Sequence, residues 1–350
     1  MKKQTYISFS ILAVCMALVI FTLTRFPDDV SAENSVFTEA TINYLRQAQS
    51  DIFNENWEAF NEFSEVARKH SRVSIGFLTL MRAVQLQAEM FSREERFAEQ
   101  WMYSCLDSAD VFFRTQIPTA SGADSARVMY CLAVSQSHRA LWDAKFGSFF
   151  GAIKKGYSAR DYYEQGIVCD SSFAENKIGL GAFLYWKSAK AGGVLRGIGV
   201  VSDERELGLQ MLREGIAGAH INADVGNSSL VWILLNEKRY KEAGKLASEL
   251  AERYADGATF LWPLAKAYDY ANKYRQTLDT YLLLRKKLLR DPGNQLNLIR
   301  VDYEITVLAR ILEDKETLAH IEKSFDEYSA HTPKKTKREL DFEFRALRRL

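Results

Sequence analysis

Leu230-Val231-Trp232-Ile233-Leu234-Leu235-Asn236-Glu237-Lys238-Arg239-Tyr240-Lys241-Glu242-Ala243-Gly244-Lys245-Leu246-Ala247 is answered 34 residues later by Leu264-Ala265-Lys266-Ala267-Tyr268-Asp269-Tyr270-Ala271-Asn272-Lys273-Tyr274-Arg275-Gln276-Thr277-Leu278-Asp279-Thr280-Tyr281. Leu230 falls on Leu264, Val231 on Ala265 and Leu234 on Tyr268. Beyond the turn Tyr240 falls on Tyr274, Ala243 on Thr277, Ala247 on Tyr281 and Leu250 on Leu284. In both copies the apolar positions recur at helical spacing on either side of a short polar break, so the repeated unit is a helix–turn–helix hairpin. One such hairpin cannot cover its own apolar face. Small residues at the inner positions let neighbouring hairpins stack and bury it.

Working outward, the same pattern predicts helices almost everywhere after residue 36, and no alternating run suggests a sheet. The expected spans are 36–53, 57–69, 73–91, 95–113, 123–147, 156–169, 174–190 and 203–218. They continue with 223–236, 239–254, 259–272, 275–290, 294–312, 315–329 and 335–349. Turn chemistry marks the breaks at Pro118 to Gly122, Cys169-Asp170-Ser171-Ser172, Asp256-Gly257 and Asp291-Pro292-Gly293. Only 5 prolines interrupt the chain, which leaves long stretches free to be helical. Asn56-Trp57-Glu58-Ala59-Phe60 reads as the entry to the second helix of a degenerate unit.

Gly179-Leu180-Gly181-Ala182-Phe183-Leu184, preceded by Cys169-Asp170-Ser171-Ser172-Phe173-Ala174-Glu175, carries a family likeness, with Ala159 and Tyr163 at the small and aromatic positions of the helix before. Together with Ser202-Asp203-Glu204-Arg205-Glu206-Leu207-Gly208-Leu209-Gln210-Met211-Leu212 this resembles exported bacterial tetratricopeptide-repeat (TPR) proteins. It is also similar to the eukaryotic TPR family linked to inclusion-body clearance at the mitochondrial outer membrane. That group shares an apolar loop followed by Gly-Asp-Arg-Glu-x-Gly-Leu-x-Leu-Leu. Here Ser202 stands in place of the glycine and Glu204 is inserted. The likeness covers residues 156–290. It implies an all-α fold, a TPR-like helical-hairpin solenoid wound as a right-handed superhelix, and a scaffold or adaptor without enzymatic activity.

The resemblance also implies that the first helix of each hairpin lines a concave groove. In this register the groove residues are Tyr185 and Trp186, then Trp232 and Asn236, then Trp262, Lys266, Asp269 and Tyr270. Ser228 and Leu235 fall on the same face. Aromatic side chains with a few polar neighbours suit peptide recognition, since they offer large contact area at low entropy cost. The competing reading puts the tryptophans in the core between repeats, and Trp262 becomes a core position if the register slips by one.

The expected organisation is an N-terminal signal peptide or anchor (1–32), a degenerate TPR-like region (33–155), TPR repeats with a glycine-rich apolar insertion at 190–202 (156–292), and C-terminal helices capping the array (293–350). Lys2 and Lys3, the apolar run from Tyr6 to Leu23 and the small residues of Val30-Ser31-Ala32 predict export, with cleavage after Ala32 or retention as an anchor. Leu12-Ala13-Val14-Cys15 is a poor lipoprotein signal, because Val14 is too large before a lipidated cysteine. The expected location is therefore the periplasm or cell envelope.

The formal net charge is +1, and removing residues 1–32 leaves acidic and basic side chains in equal number. That balance argues against nucleic acid as a partner. The exception is the C-terminal stretch Lys334-Lys335-Thr336-Lys337-Arg338 with Arg345, Arg348 and Arg349, read as a solvated cap on the last helix or as a contact for an anionic partner or lipid surface. Cys105 and Cys131 lie equally far from Pro118, so a helical hairpin brings them level, as buried thiols or as a disulfide; Cys169 is left over.

The 5 histidines show no His-Glu-x-x-His or metal-ligand spacing, and no Gly-x-Ser-x-Gly elbow occurs. The Gly192-Gly193 to Gly199 segment lacks the Gly-Lys-Ser/Thr ending of a phosphate loop. No catalytic residue, metal or cofactor is expected. The expected function is protein or peptide binding through the groove. Alternatives are an accessory subunit held through the apolar 190–201 loop or the array ends, and a small-ligand pocket within 73–170 around Tyr103, His138 or Tyr162.

Overall fold

The computed structural model describes residues 37–70, 73–190, 202–219 and 223–349. The signal or anchor segment and the core of the 190–202 insertion lie outside these. The described residues form sixteen α-helices and a 3₁₀ turn, and no β-strand occurs among them. The helices are α1 (Glu39–Phe53), α2 (Trp57–His70), α3 (Ile75–Arg93), α4 (Glu99–Gln116), α5 (Ala123–Phe146), α6 (Phe149–Cys169), α7 (Glu175–Lys190) and α8 (Arg205–Gly218). After them come α9 (Ala223–Asn236), α10 (Tyr240–Arg253), α11 (Leu261–Tyr270), α12 (Tyr274–Leu288), α13 (Gln295–Ile311), α14 (Lys315–Ser329), α15 (Lys334–Glu339) and α16 (Asp341–Leu347). Chain neighbours pack on one another, as the hairpin pattern requires.

Two spans differ from expectation. The helix expected to begin near residue 156 starts at Phe149, because the Ser148 hydroxyl accepts from the Gly151 amide and caps the helix there. The last helix is broken in two at Leu340, which turns its side chain inward while Phe344 and Leu347 are buried on the next segment.

Five turns share one construction. Glu55, Glu94, Lys238, Asn272 and Glu313 all have φ between 55° and 59°. In each case the following amide reaches back to a helical carbonyl: Asn56 to Asp51, Glu95 to Met90, Arg239 to Leu234, Lys273 to Tyr268 and Asp314 to Ala309, at 2.8 to 3.0 Å. This is the Schellman closure, built here on residues other than glycine. Lys238 and Asn272 occupy the same position of the 34-residue period.

The chain divides into two compact units. One comprises residues up to Ile52, Asn56–Ala88 and Ala98–Ile233; the other comprises Phe53–Glu55, Glu89–Phe97 and Leu234–Leu350. In the first, α5 packs against α4, α6 and α7. Its residues 128–135 are buried without interruption, which explains why no clean amphipathic pattern is visible there. Cys105 and Cys131 are both buried with free thiols, and burial pushes both pKa values up. Cys169 is free and exposed.

The tightest approach in this unit joins α7 and α8. A Cβ built on Gly181 would lie 2.5 Å from the Leu212 amide nitrogen, and one on Gly208 would lie 2.6 Å from the Gly181 carbonyl oxygen. Only glycine allows the two backbones this close. Ile178, Tyr185, Leu209, Leu212 and Ile233 then form a buried cluster, with Trp186, Ile216 and Leu230 against its edge.

In the second unit α10 packs on α11, α11 on α12, α12 on α13, and α13 on both α14 and α16. A buried polar network holds the centre. Arg285 Nε donates to Asp302 Oδ1 at 2.6 Å, and the Tyr328 hydroxyl donates to Asp302 Oδ2 at 2.8 Å. Asp302 is fully buried. Such an arrangement holds only when each charge keeps its partners.

Candidate functional site

The residues expected to line a groove separate into two groups. Tyr185 is 1% exposed and belongs to the α7–α8 core; Trp232 is 8% exposed and buried. Trp186 lies partly buried at the edge of that core, with the Lys190 ammonium 5.5 Å from its ring. Trp232 and Trp186 thus sit as the core reading of the tryptophans has them, and Tyr185 is buried as well. The Gly181–Gly208 approach sets α8 against the α7 face that carries Tyr185.

In the second unit the outcome differs. Helix α11 buries Leu261, Pro263, Leu264, Ala265 and Ala267. Residues 262, 266, 269 and 270 fall at helical spacing on its other side. Trp262 and Lys266 are half-buried there, while Asp269 and Tyr270 are exposed; Asn236, at the end of α9, is exposed too. The Tyr270 ring lies 5.2 Å from that of Tyr240, at the start of α10.

Helix α13 brings two residues that the sequence reading did not single out, Arg300 and Glu304. Arg300 Nη1 is 2.9 Å from Glu94 Oε1. Glu304 is exposed, yet its surroundings are protein, and loss of hydration pushes its pKa up to about 7. The negative charge of Asp269 pushes the same way, with Glu343 adding to it, and Lys266 opposes. Lys266 mirrors this. Burial pushes its pKa down to about 8; the Glu304 carboxylate works against the fall and the Arg300 guanidinium with it. Tyr281 of α12, nearly buried beside them, is raised well above its ordinary value by burial and then by Glu304, Asp269 and Tyr270. Tyr270 is raised by burial, then by Asp269, Tyr240 and Glu304.

The result is an electrostatic cluster in which Lys266 and Glu304 interact with one another and with Arg300 and Asp269, burial disfavouring the charged form of both, and in which Tyr270 and Tyr281 share the same neighbours. Arg300 and Glu304 lie four apart on a helix, which in sequence looks like any solvated surface pair. Nothing in that spacing announces the cluster.

The region suspected of holding a small-ligand pocket is built differently. His138 is 2% exposed, its Nδ1 is hydrogen bonded to Gln87, and Gln87 Nε2 donates back to the His138 carbonyl at 2.8 Å. Burial alone pushes its pKa down to about 4. The Tyr103 hydroxyl points at Asp143, and the Arg114 guanidinium lies 5.8 Å from the Tyr162 ring. A shallow depression of about 450 Å³ does occur in this unit, between Met129, Asp161, Glu164, Gln165, Val168 and Cys169; none of the three suspected residues lines it. Among the described residues no three His, Cys, Asp or Glu side chains converge as a metal site, and no helix is long and apolar enough to cross a membrane. Comparison of the chain with protein-family models, with curated proteins and with solved structures finds no match in any of the three.

Proposed function

We propose that this chain is a non-enzymatic adaptor whose second unit holds a polypeptide segment against the α11–α13 face. One observation carries the reading. Trp262, Lys266, Asp269 and Tyr270 share the side of α11 opposite its buried face, and Lys266 and Glu304 of α13 are electrostatic neighbours with pKa values displaced toward each other, to about 8 and about 7. Such a face offers a peptide charges of both signs, and the tyrosines and Trp262 offer flat contact area.

The finer architecture belongs to the same proposal. The 34-residue period, the paired helices and the shared turn at Lys238 and Asn272 support a TPR-type hairpin array. In that reading Trp262, Lys266, Asp269 and Tyr270 occupy the ligand-facing positions and Asn236 lies in the preceding unit. Placement in the envelope rests on the N-terminal sequence alone.

The test is selection of binders from a random peptide library on the full chain, with each binder titrated against Lys266→Glu, Glu304→Lys and the double exchange. Peptides should emerge that carry an acidic and a basic residue a few positions apart. Each single exchange should weaken them at least about tenfold, the worth of one desolvated charge contact. Peptides that bind wild type and both exchanges equally would remove the α11–α13 face from the binding site and the reading with it.

A further inference from the structure

A second surface, in the first unit and independent of the peptide reading, combines exposed aromatic side chains with one sign of charge. Helix α6 begins with Phe149 and Phe150, which are 67% and 81% exposed, and Ile153 and Tyr157 continue the stripe at 40% and 39%. Neighbouring phenylalanines this open are costly in water unless something covers them. Phe150, Ile153 and Tyr157 recur at intervals of three and four, so they share one side of the first two turns of the helix. Tyr157 rests on Phe183 of α7 at 5.3 Å between ring centroids, which fixes the stripe to the unit's framework.

The sequence around the stripe is rich in cations. From residue 144 to 160 the sequence carries Lys145, Lys154, Lys155 and Arg160 and no acidic residue. From 176 to 202 it carries Lys177, Lys187, Lys190 and Arg196 and again no acidic residue. In a chain of net charge +1 this is a local excess. Asp143, Glu204, Asp203 and Glu99 are each engaged by a partner. Asp143 is held by Lys155 at 2.8 Å, Glu204 by Lys187, and Asp203 by Arg205 at 2.8 Å. Glu99 accepts from Trp142 Nε1 at 2.8 Å. Lys154 and Lys190 are exposed.

We propose that the Phe149-Phe150 end of α6 docks on an anionic lipid surface, the two phenylalanines entering the headgroup region while Lys145, Lys154 and Lys190 meet lipid phosphates. Aromatic and aliphatic side chains at one edge, flanked by lysines, are the composition that interfacial helices use, and each lysine near an anionic surface strengthens binding about fivefold. A protein partner for this edge would need an acidic face with two aromatic sockets. A lipid surface needs neither, and it offers negative charge and apolar depth together.

The experiment uses the full chain with Cys15→Ser, Cys169→Ser and Phe150→Cys, labelled at position 150 with an environment-sensitive fluorophore, the remaining thiols Cys105 and Cys131 being buried. On vesicles of phosphatidylcholine with phosphatidylglycerol, emission should shift to the blue and be quenched by brominated acyl chains. On phosphatidylcholine alone it should change little. Adding Lys145→Glu and Lys154→Glu should reduce apparent affinity by at least about twenty-fold, two lysines being lost.

Because the label reports its own position, attachment through the N-terminal apolar segment cannot imitate the result. An unshifted label on vesicles that carry the protein overturns the proposal, as does an equal response to both lipids. A label already blue-shifted without lipid also overturns it: independent of protein concentration, that assigns the covering to another part of the same chain, and concentration-dependent, to a second copy.

Discussion

Replacing Glu304 by glutamine is expected to make the protein more stable, and only above acid pH. The carboxyl's ordinary value of 4.5 is raised to about 7 in the fold, chiefly by loss of hydration. A group whose folded pKa lies above its unfolded one binds more protons when folded. Its cost is therefore absent below about pH 4.5, grows between 4.5 and 7, and is fully present above 7. At about 1.4 kcal/mol per pH unit the displacement corresponds to roughly 3 kcal/mol. Glu304 is exposed, so solvent screening reduces that figure, and a gain of about 1 kcal/mol is the expected size. Glutamine has nearly the shape of the protonated acid and carries no charge. Urea unfolding of wild type and Glu304→Gln, each at pH 8 and at pH 4.5, reads the difference directly. The variant should be more stable by about 1 kcal/mol at pH 8 and equal to wild type at pH 4.5. A loss of stability at pH 8 would show that Glu304 is a stabilising partner of Lys266, and the argument that its charge is short of hydration would fall.

Three further outcomes follow from the packing. Gly208→Ala places a methyl group 2.6 Å from the Gly181 carbonyl oxygen and the Tyr185 nitrogen, and should cost about 2–4 kcal/mol in thermal or urea unfolding, since backbone and not a flexible side chain is in the way. A cost below about 0.5 kcal/mol would mean that α7 and α8 lie farther apart. Asp302→Ala leaves the Arg285 guanidinium buried beside Tyr328 without its anion and should cost about 3–5 kcal/mol, whereas Arg285→Met with Asp302→Leu should recover most of that loss. His138, held neutral by burial with a pKa of about 4 against an ordinary 6.5, contributes stability that is complete above pH 6.5 and lost as pH falls toward 4. Acid unfolding of His138→Gln should therefore be shallower than that of wild type over this window, by up to about 3 kcal/mol, and parallel curves would refute the assignment.

The helical class, most helix positions and the hairpin pairing were legible in the sequence because apolar periodicity is a local signal and proline is rare. The period of 34 was legible for the same reason, as was the face of α11 carrying Lys266, Asp269 and Tyr270, which alternates with a buried face of Leu264, Ala265 and Ala267. The start of α6 at Phe149 was not, because it depends on a single capping hydroxyl at Ser148. Nor were the five αL turns, which here sit on glutamate, lysine and asparagine and so lack the glycine that usually marks them.

Burial of Tyr185 and Trp232 was decided only by tertiary structure. Whether an aromatic residue on a first helix meets a ligand or a neighbour depends on how closely the next helix approaches; for Tyr185 that distance is set by Gly181 and Gly208 acting together across α7 and α8. The Lys266–Glu304 pair has the same origin. Its two ions lie on α11 and α13, separated by a whole helix in the chain, and the loss of hydration that distinguishes them from ordinary surface charges arises from the protein packed around both. Periodicity along a chain records which side of a helix is apolar; what fills the space beyond that side is a property of the assembled fold.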